Sequence, residues 1–233
     1  MKIKFSLIIP LLLSSSSIIS QIVADRPGQT ESSLIINSGQ IQIETGIDIA
    51  ESETNINSLF RIGILDGIEV RLKSNYLVND EISYLKKSSF TDFEIGTKIR
   101  ALYNDKIKIG FIANISVPTA PEIFSNNDYG LMTKLLIFHD VKTSSQIGSN
   151  FGYNKFKNLN GEFHYSLLYK KSLGYYSVFF EIFGDESSDN SNLNFDTGIT
   201  YLIDNHKQLD LSILRGLNNN MFYLSAGFSI NIF

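Results

Sequence analysis

From residue 39 onward the chain alternates. In "QIQIETGIDI" the positions Ile41, Ile43, Thr45, Ile47 and Ile49 share one parity, and Gln40, Gln42, Glu44, Gly46 and Asp48 share the other. "IEVRLKSNY" repeats the pattern, with Ile68, Val70, Leu72 and Tyr76 set against Glu69, Arg71, Lys73 and Asn75. In "FEIGTKIRA", Phe93, Ile95, Thr97 and Ile99 oppose Glu94, Gly96, Lys98 and Arg100. A period of two over this length predicts strand, because a 3.6-residue turn would scatter the charges around a helix axis. Carried along the chain, the pattern predicts twelve strands centred near Thr45, Phe60, Leu72, Thr97, Phe111, Leu135, Ser149, Ser166, Phe180, Thr197, Leu211 and Gly227. Each spans about 9 to 13 residues, enough for a tilted strand to cross a bilayer and longer than most globular strands.

The connections alternate too. "LDG" (Leu65 to Gly67), "YND" (Tyr103 to Asp105), "DVKT" (Asp140 to Thr143), "KSLG" (Lys171 to Gly174) and "DNH" (Asp204 to His206) predict tight turns. Between them, Asn79 to Thr91, Pro118 to Asp128, Lys155 to Gly161 and Asp185 to Asn192 predict longer polar loops, with short links near Ser52 and Asn219. Two ends of unequal loop length fit a barrel with periplasmic turns and longer outer loops. An even strand number returns the C-terminus to the periplasmic side.

Alternation alone does not say whether the apolar face lies inside, as in a soluble sandwich, or outside, against lipid. The polar parity carries charges of both signs: Glu44, Asp48, Glu69, Glu94, Glu162, Glu181, Asp196 and Asp210, facing Arg61, Arg71, Lys73, Lys98, Arg100, Lys108, Lys134 and Lys170. These are the expected lumen-lining residues. Tyrosines of the apolar parity fall near strand ends, Tyr76 and Tyr153 at the outer edge and Tyr103, Tyr176 and Tyr201 at the other, where an amphipathic ring suits a lipid boundary. The fold expectation is an all-β transmembrane antiparallel up-and-down β-barrel of about 12 strands, both termini periplasmic, since closure satisfies every backbone group in lipid.

The N-terminus reads as an address for export. Lys2 and Lys4 precede a short apolar run, Phe5 to Leu13, that contains Pro10 and dissolves into serines. This is the build of a signal peptide over residues 1–20, with cleavage as late as 24, and the run falls short of the roughly 20 apolar residues a spanning helix needs. Residues 25–38 then form a periplasmic or lumenal segment, and 39–233 the barrel. With no cysteine, disulfides, thiol catalysis, Cys-based zinc sites and lipidation are excluded. A formal charge of −4, more negative once Lys2 and Lys4 are removed, and the lack of a basic patch argue against nucleic acid.

"ADRPGQTESS", "GQIQIETG", "LFRIGILDGIEVRL", "FEIGTKIRA", "FFEIFGD", "DTGITYLIDNHKQLDLS" and "YLSAGFS" together resemble the family described as Putative MetA-pathway of phenol degradation. The resemblance implies an outer-membrane barrel that passes small molecules, with aromatic or apolar ones suggested, and supplies no binding residues. Gly28 departs from it, standing where an acidic or polar residue is common, and Phe233 falls on the wrong parity for the terminal aromatic that assists barrel assembly. The implied partners are outer-membrane lipid, a small solute and the barrel assembly machinery.

Pro27 and Gly28 break regular structure in Asp25–Ser33, which is expected to fold into or across the periplasmic mouth as a gate. Asp25, Arg26 and Glu31 are its candidate residues, with Glu44 or Glu69 expected to hold Arg26. A mobile tail is the alternative. For catalysis, His164 and Ser166 share the lumen parity, as a phospholipase-like hydrolase would need, but the asparagine that follows the serine in such barrels is missing. No metal-ligand spacing or cofactor motif is visible. The leading reading is a narrow channel or transporter, since twelve strands lie between filled eight-stranded barrels and open sixteen-stranded ones. A structural or sensory barrel closed by salt bridges is the alternative.

Overall fold

The structure, a computed structural model, describes residues 22–79 and 88–232. The proposed leader, the middle of the Asn79–Thr91 loop and Phe233 lie outside them. Thirteen strands follow in order: β1 (Ile41–Ile49), β2 (Glu53–Leu65), β3 (Ile68–Asn79), β4 (Ser88–Phe90), β5 (Phe93–Tyr103), β6 (Ile107–Val117), β7 (Gly130–Lys142), β8 (Ser145–Phe156), β9 (Glu162–Leu173), β10 (Tyr176–Glu186), β11 (Ser191–Asp204), β12 (Lys207–Gly216) and β13 (Phe222–Asn231). Twelve of these close an antiparallel barrel: each pairs with its sequence neighbours, β1 pairs with β13, and β3 meets β5.

The three-residue β4 was not foreseen. It lies beside Tyr76–Val78 of β3, continuing the row that β5 occupies against Ile68–Lys73. The interruption falls at Asp92. Its carboxylate accepts hydrogen bonds from the backbone N–H of Thr119, Ala120 and Asn126 and from the Ser125 hydroxyl, at 2.9–3.1 Å. One buried acid thus gathers the long loop between β6 and β7 over the barrel rim.

The tight turns all lie at one end, with both ends of the barrel sequence. Gly67 (φ +79°) and Gly174 (φ +71°) take the left-handed conformation that two of these turns require. Four of the five are preceded by a bulge, as between Gly63 and Leu65 or Arg100 and Leu102.

The apolar parity faces outward. Phe60, Leu72, Ile95, Phe111, Leu135, Phe151, Leu167 and Phe180 are exposed around the belt, while Glu44, Arg61, Glu69, Lys98, Glu181 and Asp196 are buried inside. A soluble protein would invert this arrangement. Tyr176 and Tyr201 pair on the outer face with centroids 4.9 Å apart. Tyr103 corrects the expectation. The bulge at Arg100/Leu102 shifts the parity by one, so Tyr103 pairs with Lys108 on the lumen side, where both Lys108 and Arg100 approach its ring within 6 Å.

Candidate functional site

The site is the lumen, and its central object is the chain just before β1. Residues 22–36 run through the barrel instead of leaving its mouth: Ile22, Asp25, Thr30, Ser33 and Ile36 are all buried. Pro27 and Gly28 keep the segment irregular, so its backbone N–H groups need partners from the wall. Three wall carboxylates supply them. Glu44 Oε2 accepts from the N–H of Asp25 and Arg26 at 2.9 and 3.1 Å. Glu181 accepts from the N–H of Gln29 and Thr30 at 2.7 and 2.5 Å, and from the Thr30 hydroxyl. Glu69 accepts from the N–H of Ile36 at 3.1 Å.

Around Asp25 these anchors merge into one buried ionic network. Arg61, with no exposed side-chain surface, places its guanidinium on Glu44 at 2.9 Å and on Glu69 at 2.8 Å, with Asp25 at 3.6 Å. It also donates to the carbonyls of Val23 and Leu34. Lys98 holds both Asp25 oxygens at 2.7 and 2.9 Å and the Ser32 carbonyl at 2.8 Å. Arg71 bridges Asp25 at 3.3 Å and Glu31 at 2.5 Å, and Lys134 meets Glu31 at 2.5 Å. Burial works to raise the Asp25 carboxyl, but Arg61, Lys98 and Arg71 outweigh it and hold it below the usual carboxylate range. Burial likewise works to raise the Glu31 carboxyl, but Arg71, Lys134 and Lys98 hold it well below its usual range.

Arg26 takes a different seat from the one expected. Its guanidinium donates to Asn57 at 2.5 Å, Asp210 at 3.2 Å and Ser225 at 3.0 Å, and only its backbone reaches Glu44. Glu44 and Glu69 are occupied by Arg61, leaving Asp210 as the acid for Arg26. The seat exists because Gly46 and Gly227, paired across β1 and β13, have no side chains. A Cβ on either would lie 2.3 Å from the Arg26 guanidinium. Gly28 has a similar cause: a Cβ there would come within 2.7 Å of Glu181 Oε2.

The remaining candidates lie apart from the network. Lys73 and Glu94 pair at 3.3 Å on the loop side, and Arg100 reaches the exposed Asp66 at 2.5 Å at the turn-end mouth. Asp196 is buried opposite Glu181 in the β10–β11 ladder. His164 meets Glu162 at 2.9 Å and Asn154 at 2.7 Å, whereas the Ser166 hydroxyl lies 2.7 Å from that of Thr30 and donates to it, the Thr30 proton being given to Glu181.

The segment divides the lumen. On the loop side are two cavities of about 370 Å³ each, which share Gln29, Glu31, Arg71, Lys73 and Lys134. On the turn side are one of about 370 Å³ and one of about 440 Å³, sharing Ile22, Val23, Leu34 and Tyr103. Asp25, Arg26, Pro27 and Gly28 line cavities of both sets, Gln29 faces the loop side and Thr30 the turn side, so Asp25–Thr30 forms the septum between them.

A family model described as Putative MetA-pathway of phenol degradation matches residues 24–232, from the septum to the end of the last strand. The chain belongs to this family. No curated protein matches it by sequence. Among solved structures it is similar to an outer membrane channel from Pseudomonas putida F1, with a TM-score of 0.69 and 9% identity over 89% of this chain and 99% of that one. It is also similar to the KdgM porin in complex with disordered oligogalacturonate, TM-score 0.64 and 9% identity over 81% and 98% of the two chains. The NanC porin follows at TM-score 0.58 and 8% identity over 82% and 98%. At such identities the likeness concerns the fold. That fold, with its apolar outer belt and closed ladder, is the outer-membrane barrel.

Proposed function

We propose that the protein is an outer-membrane channel for small solutes whose lumen is closed at rest by its own N-terminal segment, Asp25–Ser33. The observation that carries this reading is the N-terminal segment standing as a septum between cavities on its loop side and cavities on its turn side. A filled barrel would have no chambers, and an open pore would have no septum. In this reading residues 1–20 are a leader, cut there or as late as 24, residues 25–38 the closing segment, and 39–233 the barrel. The tight turns and both termini lie in the periplasm, and the longer loops outside. Asp25, Arg26 and Glu31 act as gate residues. The lumen charges Glu44, Arg61, Glu69, Arg71, Lys98, Glu181 and Asp210 hold the gate, while Lys73, Glu94, Arg100 and Asp196 line the path on either side. The family's description supports a solute with aromatic or apolar character. Catalysis is disfavoured because Ser166 is taken up by Thr30, and His164 by Glu162 and Asn154.

The unexposed Arg61 with its three acids favours a second reading, a structural or sensory barrel that never opens. Planar-bilayer recording separates the two. Wild-type protein should conduct little and intermittently, and deletion of residues 25–33 should give steady, larger steps while the unheated barrel keeps its anomalous gel migration. A folded deletion variant that stays silent would leave the closed structural barrel as the answer.

A further inference from the structure

Lumen cations in this barrel nearly all face an acid: Arg61, Arg71, Lys73, Lys98, Lys108 and Lys134 each have one within 4 Å. Lys170 does not. It stands on β9, between Gln146 of β8 and Phe179 of β10, and lines the turn-side chamber of about 370 Å³. Among the described residues it has neither a hydrogen bond nor an ion pair, and no neighbouring charge acts on it. Asp25 and Arg26, at the ceiling of the same chamber, are already engaged by Lys98 and Asp210. A second polar group there is also unmatched: the hydroxyl of Thr200, 2% exposed, lacks a partner.

Gln146, Thr30 and Ser32 also line the chamber, but one stretch of its wall is apolar. Phe138, Leu168 and Phe179 pack as one cluster on its wall. Their rings lie back against the barrel because the neighbouring positions are glycine. A Cβ on Gly148 would come within 2.6 Å of the Phe138 ring, and one on Gly198 within 2.6 Å of the Phe179 ring. Two glycines therefore keep two aromatic rings out of the lumen and leave the chamber open.

We propose that this chamber is a binding site for a small amphipathic carboxylate. The carboxylate sits on Lys170 with the Thr200 hydroxyl as a second donor, and a flat apolar body of one or two rings lies against Phe138, Leu168 and Phe179. An unpaired ammonium in a confined site is costly to keep dehydrated, and an anion relieves that cost where a neutral molecule does not. The Phe138, Leu168 and Phe179 wall gives an inorganic anion no apolar contact, so the body of the ligand matters as much as its charge. The volume falls at the low end of small-molecule pockets. The site goes beyond the channel reading: it needs only the chamber, and holds whether or not solute crosses the septum.

The test uses the full-length barrel in zwitterionic detergent with 2-naphthoate as probe. The chain contains no tryptophan, so the probe's fluorescence is read without indole background. Wild-type protein should bind one naphthoate saturably. Lys170→Met should weaken binding about tenfold or more, the worth of a charge-assisted hydrogen bond, while Lys170→Arg should stay within about threefold. The neutral 2-naphthalenemethanol should bind wild type at least about tenfold more weakly than the acid, and millimolar phosphate should not displace the probe. Lys170→Gln replaces the Met variant if that one fails to show a folded, heat-modifiable band. Absence of saturable binding, equal affinity in the Met or Gln variant, equal affinity for the alcohol, or displacement by phosphate would each overturn the proposal. A silent pore with naphthoate bound would count against the channel alone.

Discussion

Gly46→Ala tests how the septum is held with the smallest change available. The Arg26 guanidinium sits where the new methyl would go, 2.3 Å from Cζ, closer than any real contact. Arg26 must therefore leave its bonds to Asn57, Asp210 and Ser225. Breaking a buried ion pair costs about 3–5 kcal/mol, because the abandoned Asp210 carboxylate stays buried. A loss of about 3 kcal/mol moves the docked-to-released equilibrium of the segment by roughly 100-fold. The barrel itself should be indifferent, since alanine suits an ordinary strand position better than glycine does. Two readouts follow: larger or more frequent conductance steps, and mobility of a spin label at Gln29→Cys, a unique site because the native chain has no cysteine. Gly227→Ala should act in the same direction from the opposite strand. If both alanine variants leave conductance and label mobility at wild-type levels, the Arg26 seat is not what holds the segment.

Two further outcomes are expected. Leu72→Arg or Ile95→Arg, both on the outer belt, should destabilise the inserted barrel by about 2–4 kcal/mol near the bilayer midplane, measured by denaturant unfolding in lipid; Glu94→Gln, which loses only its pairing with the half-exposed Lys73, should leave assembly intact. Glu181→Ala strands the N–H groups of Gln29 and Thr30 at about 1–3 kcal/mol each and should loosen the septum on its other side, with Glu181→Gln restoring part of the effect because its amide oxygen still accepts; a label at Gln29 as rigid in the Ala variant as in wild type would contradict this.

Strand identity, strand centres and the lumen parity were legible because they rest on one local rule, the two-residue period, repeated across the chain. Failures came where a single residue breaks that rule. The bulge before Leu102 turns Tyr103 from the lipid side to the lumen, and nothing in "RALYND" signals the extra residue. Asp92 splits off β4 by collecting donors from a loop about thirty residues away, which no window on β5 contains. For the site, parity brought Glu44, Arg61, Glu69 and Lys98 to one face but not to one another, since register around a closed barrel is a property of all its strands together. The seat for Arg26 had a visible trace: glycines at lumen parity on the first and last strands, adjacent only after closure. Read as absences of side chain, Gly46 and Gly227 mark where something else must fit.

The way the septum is anchored decides where its opening can be controlled. Glu44, Glu69 and Glu181 hold backbone N–H groups, which every residue except proline carries, so side-chain changes within the segment leave those anchors intact. Arg26, Glu31 and Asp25 add side-chain anchors that reach several strands: Asp210 on β12, Lys134 on β7, Lys98 on β5, and Arg71 on β3 shared by the two acids. A segment tied by both means to strands around the barrel does not swing out on one hinge. It releases only when several wall positions yield together, as in a change of barrel cross-section, or when one seat is filled by something else. Release on the Arg26 side frees Asp210 and loosens the stretch from Arg26 to Gln29, so the first opening is one-sided, between β1, β13 and the segment, with the Lys98–Asp25 cluster still in place.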